Sequence, residues 1–453
     1  MIDLDKLPQV KKELDAVGCG FCLAKWTQVT MHLGSGLTHS CHHVGAHKIP
    51  LDELAVNPSA LHNTNFKKEI RKEMLAGKRP AECDYCWRIE DNTNNFSDRI
   101  TKSSDKWSVV DKDKIIASTG DENIFPRYVE VSFSNVCNFK CSYCGPAFSS
   151  KWSEEIKSKG PYILKNKLLK SHQYNGIKET EVPILEREDN PYIEAFWKWF
   201  PEAVKHMLVF RITGGEPLLS KHTNRVIQYL INNPQPNLEF SINTNACPPA
   251  TLWKKFVNSI KVLENNNSVK EFILYTSAES YGEQSEYSRD GMDWSMFTRN
   301  VEYLLTNTTN VTVSFMSAFN ILSLPMLTNY IRYVKMLKRR FENRIILDFA
   351  YVRHPRFLDI NIATDELLIK YFKIAVDSMK SSPEFTPWEN NTLDRIYNDC
   401  ASRFGKPATK DILLNRFRFV QFVNEYDRRR NKNFLKVFPE YKEFYKLCEN
   451  SNV

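Results

Sequence analysis

The alternating positions Thr27, Val29, Met31 and Leu33 predict a strand over residues 26–33. A second strand over 37–41 closes a hairpin around Gly34-Ser35-Gly36. Phe66, Ile70 and Met74 share one helical face and predict a helix over 65–76. Residues 91–127 follow neither period and read as a linker. From 128 to 360, short apolar runs alternate with amphipathic helical ones. The predicted strands are 128–133, 208–212, 238–242, 271–276, 311–316 and 345–352, and helices fall between them at 224–232, 252–263, 294–305 and 326–337. Six strands separated by helices imply a parallel sheet with right-handed crossovers. They are too few for an eight-stranded barrel, so the expected fold class is α/β, an open partial (βα)6 barrel. Residues 361–453 read as helical, with periodic runs at 366–379 and 413–426. The expected organisation is an extension (1–18), a cysteine-rich module (19–90), a linker (91–127), a core (128–360) and a helical carboxy-terminal region (361–453).

Composition narrows the class. Of the 453 residues, 42% are hydrophobic and 26% charged, which excludes wholesale disorder, a collagen and a disulfide miniprotein. Mean hydropathy is −0.45, and no apolar run approaches the ~18–20 residues that cross a bilayer. The opening MIDLDKLPQVKKELDAV lacks the apolar stretch of a secretory signal. The expectation is a cytoplasmic protein with no membrane partner. The net charge of +8 comes from charges of both signs spread along the chain, which fits an ordinary surface better than a nucleic-acid interface.

The cysteines carry more. Eleven are present, and eight of them, at 19, 22, 41, 83, 86, 137, 141 and 144, fall in the first third. Clustered thiols in a reducing compartment ligate metal or do redox chemistry more often than they form disulfides. Cys137, Cys141 and Cys144 follow the first core strand in a C-x3-C-x2-C loop. Three thiolates there can hold three irons of a 4Fe–4S cluster and leave the fourth iron open to a ligand. Zinc is the alternative, but it usually takes opposed C-x2-C pairs, which the x3 gap fits poorly. After the second strand comes Arg211-Ile212-Thr213-Gly214-Gly215-Glu216-Pro217. Its glycines allow close backbone approach to a ligand, and its carboxylate can bind an ammonium group. Parallel α/β folds place their sites at the carboxyl ends of strands, where both motifs fall.

C-x3-C-x-aromatic-C followed by GGEP resembles the radical S-adenosylmethionine (SAM) enzymes, over about residues 128–360. The resemblance implies that Cys137, Cys141 and Cys144 hold a catalytic 4Fe–4S cluster in a partial radical SAM barrel. The open iron would chelate SAM through its amino and carboxylate groups. Gly214, Gly215 and Glu216 would contact the methionine amine, and Tyr143 would lie near the adenine. Asn243 would be a polar contact to SAM, Ser277 a ribose contact and Arg289 a partner of the SAM carboxylate; an ordinary loop contact is the alternative for each. In Asn243-Thr244-Asn245-Ala246, alanine stands where the family usually has glycine. The implied chemistry is reductive cleavage of SAM to a 5′-deoxyadenosyl radical, which abstracts hydrogen from a substrate. An electron donor such as flavodoxin or ferredoxin is implied as a partner.

A second set begins at Cys22, continues through Gly36 to Cys41 and ends in Cys83-Asp84-Tyr85-Cys86. Four thiolates suit zinc or a fully ligated 4Fe–4S cluster. The spacing resembles the twitch module, a short form of the SPASM domain, which implies an auxiliary 4Fe–4S cluster on Cys22, Cys41, Cys83 and Cys86. In familiar members that module follows the core; here it precedes it. Cys19 is an alternative to Cys22, and His42 and His43 read as flanking surface residues. Cys247, Cys400 and Cys448 read as core, as do Trp197, Trp199 and Phe200. The run from Arg416 to Val423 reads as an amphipathic helix rather than a nucleic-acid surface. The substrate is expected to be a peptide or protein side chain. A nucleotide, nucleic acid or sugar is the second reading, and a non-catalytic, metal-stapled binding protein the third.

Overall fold

The computed structural model describes residues 4–169 and 183–451. The segment 149–206, expected to shape a pocket or dock a peptide, lies partly outside the described residues. The chain forms a mixed α/β structure with mostly parallel strands, in two compact units. One comprises Met1–Asn135, Tyr174–Ser241 and Asn266–Glu271. The other comprises Val136–Gln173, Ile242–Asn265 and Phe272–Val453.

In the first unit, Gln28–His32 and Leu37–His39 form the expected antiparallel hairpin, Met31 opposite Thr38. His47–Lys48 extends it. Gln28–His32 also pairs in parallel with Tyr128–Ser132, which pairs in parallel with Val209–Thr213. The hairpin is thus a continuation of the sheet that holds Tyr128–Ser132 and Val209–Thr213. Residues in register point to the same side of a sheet. Val29, Met31, Val129, Val131, Phe210 and Ile212 fill one side and are fully buried. Phe200, on the helix Pro191–Ala203, closes over Phe210 with ring centroids 5.3 Å apart. Each of these side chains contributes about 1.5–3 kcal/mol by leaving water. The opposite side carries Thr30, His32, Glu130, Arg211 and Thr213.

A second core joins Leu7 and Leu14, Phe21, Trp26, Ile70, Met74, Ile100 and Ile115. The segment expected to be a linker therefore holds three helices, Asp98–Ser103, Lys106–Val109 and Lys112–Ile116, and two of them reach this core. Helices of four to six residues are too short to show an amphipathic period. Within the expected extension, Leu7–Val17 forms a helix against the same core.

In the second unit, the part of the strand Val269–Thr276 from Ile273 on pairs in parallel with Thr312–Phe319, which pairs in parallel with Ile345–Tyr351, with helices Trp294–Asn307 and Leu327–Phe341 in the connections. With Tyr128–Ser132, Val209–Thr213 and Gln235–Thr244, all six expected core strands form. The carboxy-terminal region is helical. Its longest helix, Lys410–Arg430, buries Phe419, Phe422 and Tyr426. Arg416 of the basic–aromatic run turns inward and donates to the carbonyls of Ile362 at 2.8 Å and Ala363 at 3.1 Å. No helix among the described residues is long and apolar enough to cross a membrane.

Candidate metal centres

The three-cysteine loop lies in the second unit. Lys140–Cys141 pairs antiparallel with Arg289–Asp290, Cys141 opposite Arg289. Ser149 caps the helix Ser150–Lys159 through the Trp152 amide and donates its hydroxyl to the Phe139 carbonyl at 2.6 Å. Trp152 Nε1 donates to the Cys141 carbonyl at 2.9 Å. These bonds pin the loop through its backbone. The Phe139 amide points at Cys137 Sγ, 3.4 Å away, a contact that favours a thiolate. Asn138 donates to the Cys247 carbonyl at 2.8 Å and accepts from Asn245 at 2.7 Å. The Asn243–Ala246 turn thereby holds the loop. Ala246 adopts φ +55°, a left-handed conformation that glycine enters more readily.

Behind Cys141 and Cys144 sits a buried polar cluster. Arg289 Nη1 donates to Glu279 Oε2 at 3.2 Å and to the Tyr143 hydroxyl; Ser288 Oγ donates to Glu279 Oε1 at 3.1 Å. Arg289, expected to meet a carboxylate of SAM, already has one from the protein. Burial pushes the Cys144 thiol up to about 12 and raises Cys141, while the Arg289 charge opposes both shifts. Glu279 escaped the sequence reading, although it stands two residues beyond Ser277. Ser277 and Asn243 are half-buried, and Asn243 lies 3.9 Å from Met316 Sδ.

A charged network braces this loop. Lys140 pairs with Glu155 at 2.9 Å and with Asp290 at 3.4 Å. Arg430 of the long carboxy-terminal helix reaches the same two carboxylates at 3.2 and 3.3 Å, and Lys432 reaches Asp290 at 2.8 Å.

The GGEP turn lies in the first unit, at the end of Val209–Thr213. Gly214 has φ +117°, and a Cβ there would fall 2.4 Å from Ser132 Oγ and 2.9 Å from the Ser134 carbonyl. The Gly215 amide donates to that carbonyl at 3.3 Å. The turn therefore lies against the strand end that precedes Cys137 in sequence. Glu216 is buried and accepts from the Leu218 amide at 3.1 Å, capping the turn Pro217–Leu219.

Cys22, Cys41, Cys83 and Cys86 line one pocket of this unit, with Lys25, Met74, Trp87, Arg99 and Lys102. Cys19 is not among the lining residues; its exposed thiol donates to the Gly77 carbonyl at 3.5 Å. His43 stacks on Tyr85 at 3.6 Å and pairs with Asp98 at 3.0 Å. Its amide points at Cys41 Sγ, 3.4 Å away. The cations matter because burial pushes the Cys83 and Cys86 thiols up to about 12. Lys25 opposes that rise at Cys83, and Lys25 and Arg99 oppose it at Cys22. Among the described residues, no group of His, Cys, Asp or Glu side chains is disposed to hold a single metal ion. Tetrahedral zinc at ~2.3 Å per sulfur needs thiolates about 3.8 Å apart. A 4Fe–4S cubane seats each thiolate on its own iron and spreads them further. Cys247, Cys400 and Cys448 are buried singly, as core residues.

These features define a mixed α/β protein with two cysteine-rich centres. Part of it is similar to a named enzyme: a stretch of 119 residues is 29% identical to a GTP 3′,8-cyclase of Nostoc sp. (strain PCC 7120), covering 26% of this chain and 27% of that protein. The match thus spans about a quarter of the relative's length. No protein-family model matches the chain, and no solved structure matches it.

Proposed function

We propose that the chain is a radical SAM enzyme with a catalytic 4Fe–4S cluster on Cys137, Cys141 and Cys144 and an auxiliary one on Cys22, Cys41, Cys83 and Cys86. The partial similarity to a GTP 3′,8-cyclase, itself a radical SAM enzyme, supports the chemistry. The observation that carries the reading is the loop: three thiols whose backbone is tied down at Phe139 and Cys141, with no fourth cysteine supplied by the same loop. When bound, the cluster supplies the electron that cleaves SAM. The chain's own part is to orient and to exclude water. Arg289 and Glu279 fix Tyr143 beside the cysteines. At the second centre, the four-thiol lining and its cations support a cluster.

The named relative also bears on substrate. It acts on GTP by its name, and this supports a nucleotide ahead of the peptide that the sequence reading favoured. The test is anaerobic reconstitution, then reductant and SAM, with 5′-deoxyadenosine measured alone and with GTP or other nucleotides. Formation of 5′-deoxyadenosine supports the enzyme, and its stimulation by a nucleotide supports the substrate class. A zinc-loaded protein that leaves SAM intact supports the binding-protein reading.

A further inference from the structure

The last core strand, Ile345–Tyr351, runs parallel to Thr312–Phe319 and ends at an open cavity of about 520 Å³. Parallel α/β folds place their ligands at such carboxyl ends. The volume falls within the ~300–1,000 Å³ of small-molecule sites. All of the cavity's lining belongs to the second unit. Tyr351 donates its hydroxyl to Asp359 Oδ1 at 2.6 Å, and the Asn361 amide donates to the same oxygen at 2.8 Å. The Asn361 side chain donates to the Tyr351 hydroxyl and accepts from Arg403. The Arg353 guanidinium lies 5.5 Å from the centre of the Tyr351 ring. One polar platform thus carries two guanidinium groups, and both line the cavity.

Among the described residues, neither Arg353 nor Arg403 has a carboxylate within ion-pair distance. A third arginine of the lining does: Arg356 pairs with Asp411 at 3.2 Å. Two more carboxylates line the cavity. Asp359 is engaged by Tyr351 and Asn361, and burial raises its carboxyl above the ordinary range although the charges of Arg353 and Arg403 oppose the shift. Asp399 is exposed, near the end of the helix Pro387–Ala401. A guanidinium stays charged and presents paired N–H donors that match two oxygens of a phosphate. An apolar ligand would strip water from both forks and return no hydrogen bond. Asn361 already holds Arg403 in place, so less side-chain freedom is lost on binding.

We propose that this cavity binds the phosphates of a nucleotide, with Arg353 and Arg403 as the groups that hold them. The nucleotide rests on the substrate reading under the proposed function; the phosphate chemistry rests on the two arginines.

The test uses the full chain, reconstituted anaerobically, and measures the binding of GTP, guanosine and inorganic tripolyphosphate by isothermal titration calorimetry. The parent is expected to bind GTP and tripolyphosphate, both more weakly as salt rises, and to bind guanosine less tightly than GTP. Arg353→Met and, separately, Arg403→Gln are expected to weaken GTP and tripolyphosphate about tenfold and to leave guanosine unchanged. Arg353→Lys, which keeps the charge but not the fork, is expected to fall between. Arg353 is exposed and makes no hydrogen bond among the described residues, so its replacement still reports if Arg403→Gln does not fold. A parent that binds neither phosphate compound, or variants that bind both as the parent does, overturn the phosphate site. The nucleotide reading fails separately, when no nucleotide stimulates 5′-deoxyadenosine formation by a parent that still binds tripolyphosphate through the arginines.

Discussion

Arg289 and Glu279 form an ion pair 3.2 Å long in which the arginine is 5% exposed and the glutamate 0%. The pair lies beside the strand that carries Cys141, and it occupies a guanidinium that the sequence alone offered to a SAM carboxylate. Breaking one side of such a pair leaves a buried charge alone. Glu279→Gln is expected to destabilise the protein by about 3–5 kcal/mol, read as a fall in the urea midpoint. Replacing both residues with apolar ones of similar volume is expected to cost much less. Equal losses from the single and double replacements would show that the charges do not compensate one another.

Ala246 and Gly214 are expected to respond in opposite ways. Ala246 is held at φ +55°, where a side chain costs about 1–2 kcal/mol and glycine loses roughly 0.5–1 kcal/mol in chain entropy. Ala246→Gly is therefore expected to stabilise by about 0.5–1 kcal/mol, visible as a higher melting temperature. Gly214→Ala drives a methyl group into Ser132 and the Ser134 carbonyl and is expected to lower stability and SAM binding together. A neutral Gly214→Ala would place the turn differently from the structure described.

Arg430 ties the carboxy-terminal helix to Glu155 and Asp290, and so to the loop of Lys140 and Cys141. Arg430→Met is expected to cost about 1.5–3 kcal/mol, because Lys140 and Lys432 still pair with Glu155 and Asp290, and to reduce the iron held by the loop cysteines. The check is a urea melt with an iron assay. Unchanged iron at the loop would assign Arg430 to folding alone.

His32 and His39 give a pH dependence. A carbonyl only accepts, so His39 donates through Nδ1 to Cys41 at 2.8 Å, and its Nε2 accepts from His32 Nε2 at 3.2 Å. Burial pushes His32 down to about 4 and His39 to about 2. The unfolded chain takes up these protons near pH 6.5, and the folded one does not. Stability is therefore full above about pH 6.5 and is lost as the pH falls toward 4, at about 1.4 kcal/mol per unit for each histidine. Urea midpoints between pH 7 and 5 are expected to fall steadily in the wild type and less steeply in His32→Asn. Equal slopes would mean that the pair is protonated in the fold.

The long helices were legible in the sequence because their apolar periods run over several turns, as in Leu327–Phe341, and the core strands because apolar runs alternate with those helices, as at Thr312–Phe319. The helices between Asp98 and Ile116 were not, because none is longer than two turns. The thiols announced themselves by spacing. Glu279 did not, because nothing in its local sequence separates a buried charge from a solvated one. The continuity of the hairpin Gln28–His39 with Tyr128–Ser132 was also hidden, since about a hundred intervening residues separate two strands that pair directly.

The most direct measurement is the iron content of the anaerobically reconstituted chain before and after Cys137, Cys141 and Cys144 are replaced by alanine, with 5′-deoxyadenosine assayed in parallel. The wild type is expected to hold about eight irons and the triple variant about four, with SAM cleavage present in the first and abolished in the second. Zinc in place of iron, or SAM cleavage that survives the loss of the three cysteines, would contradict the account.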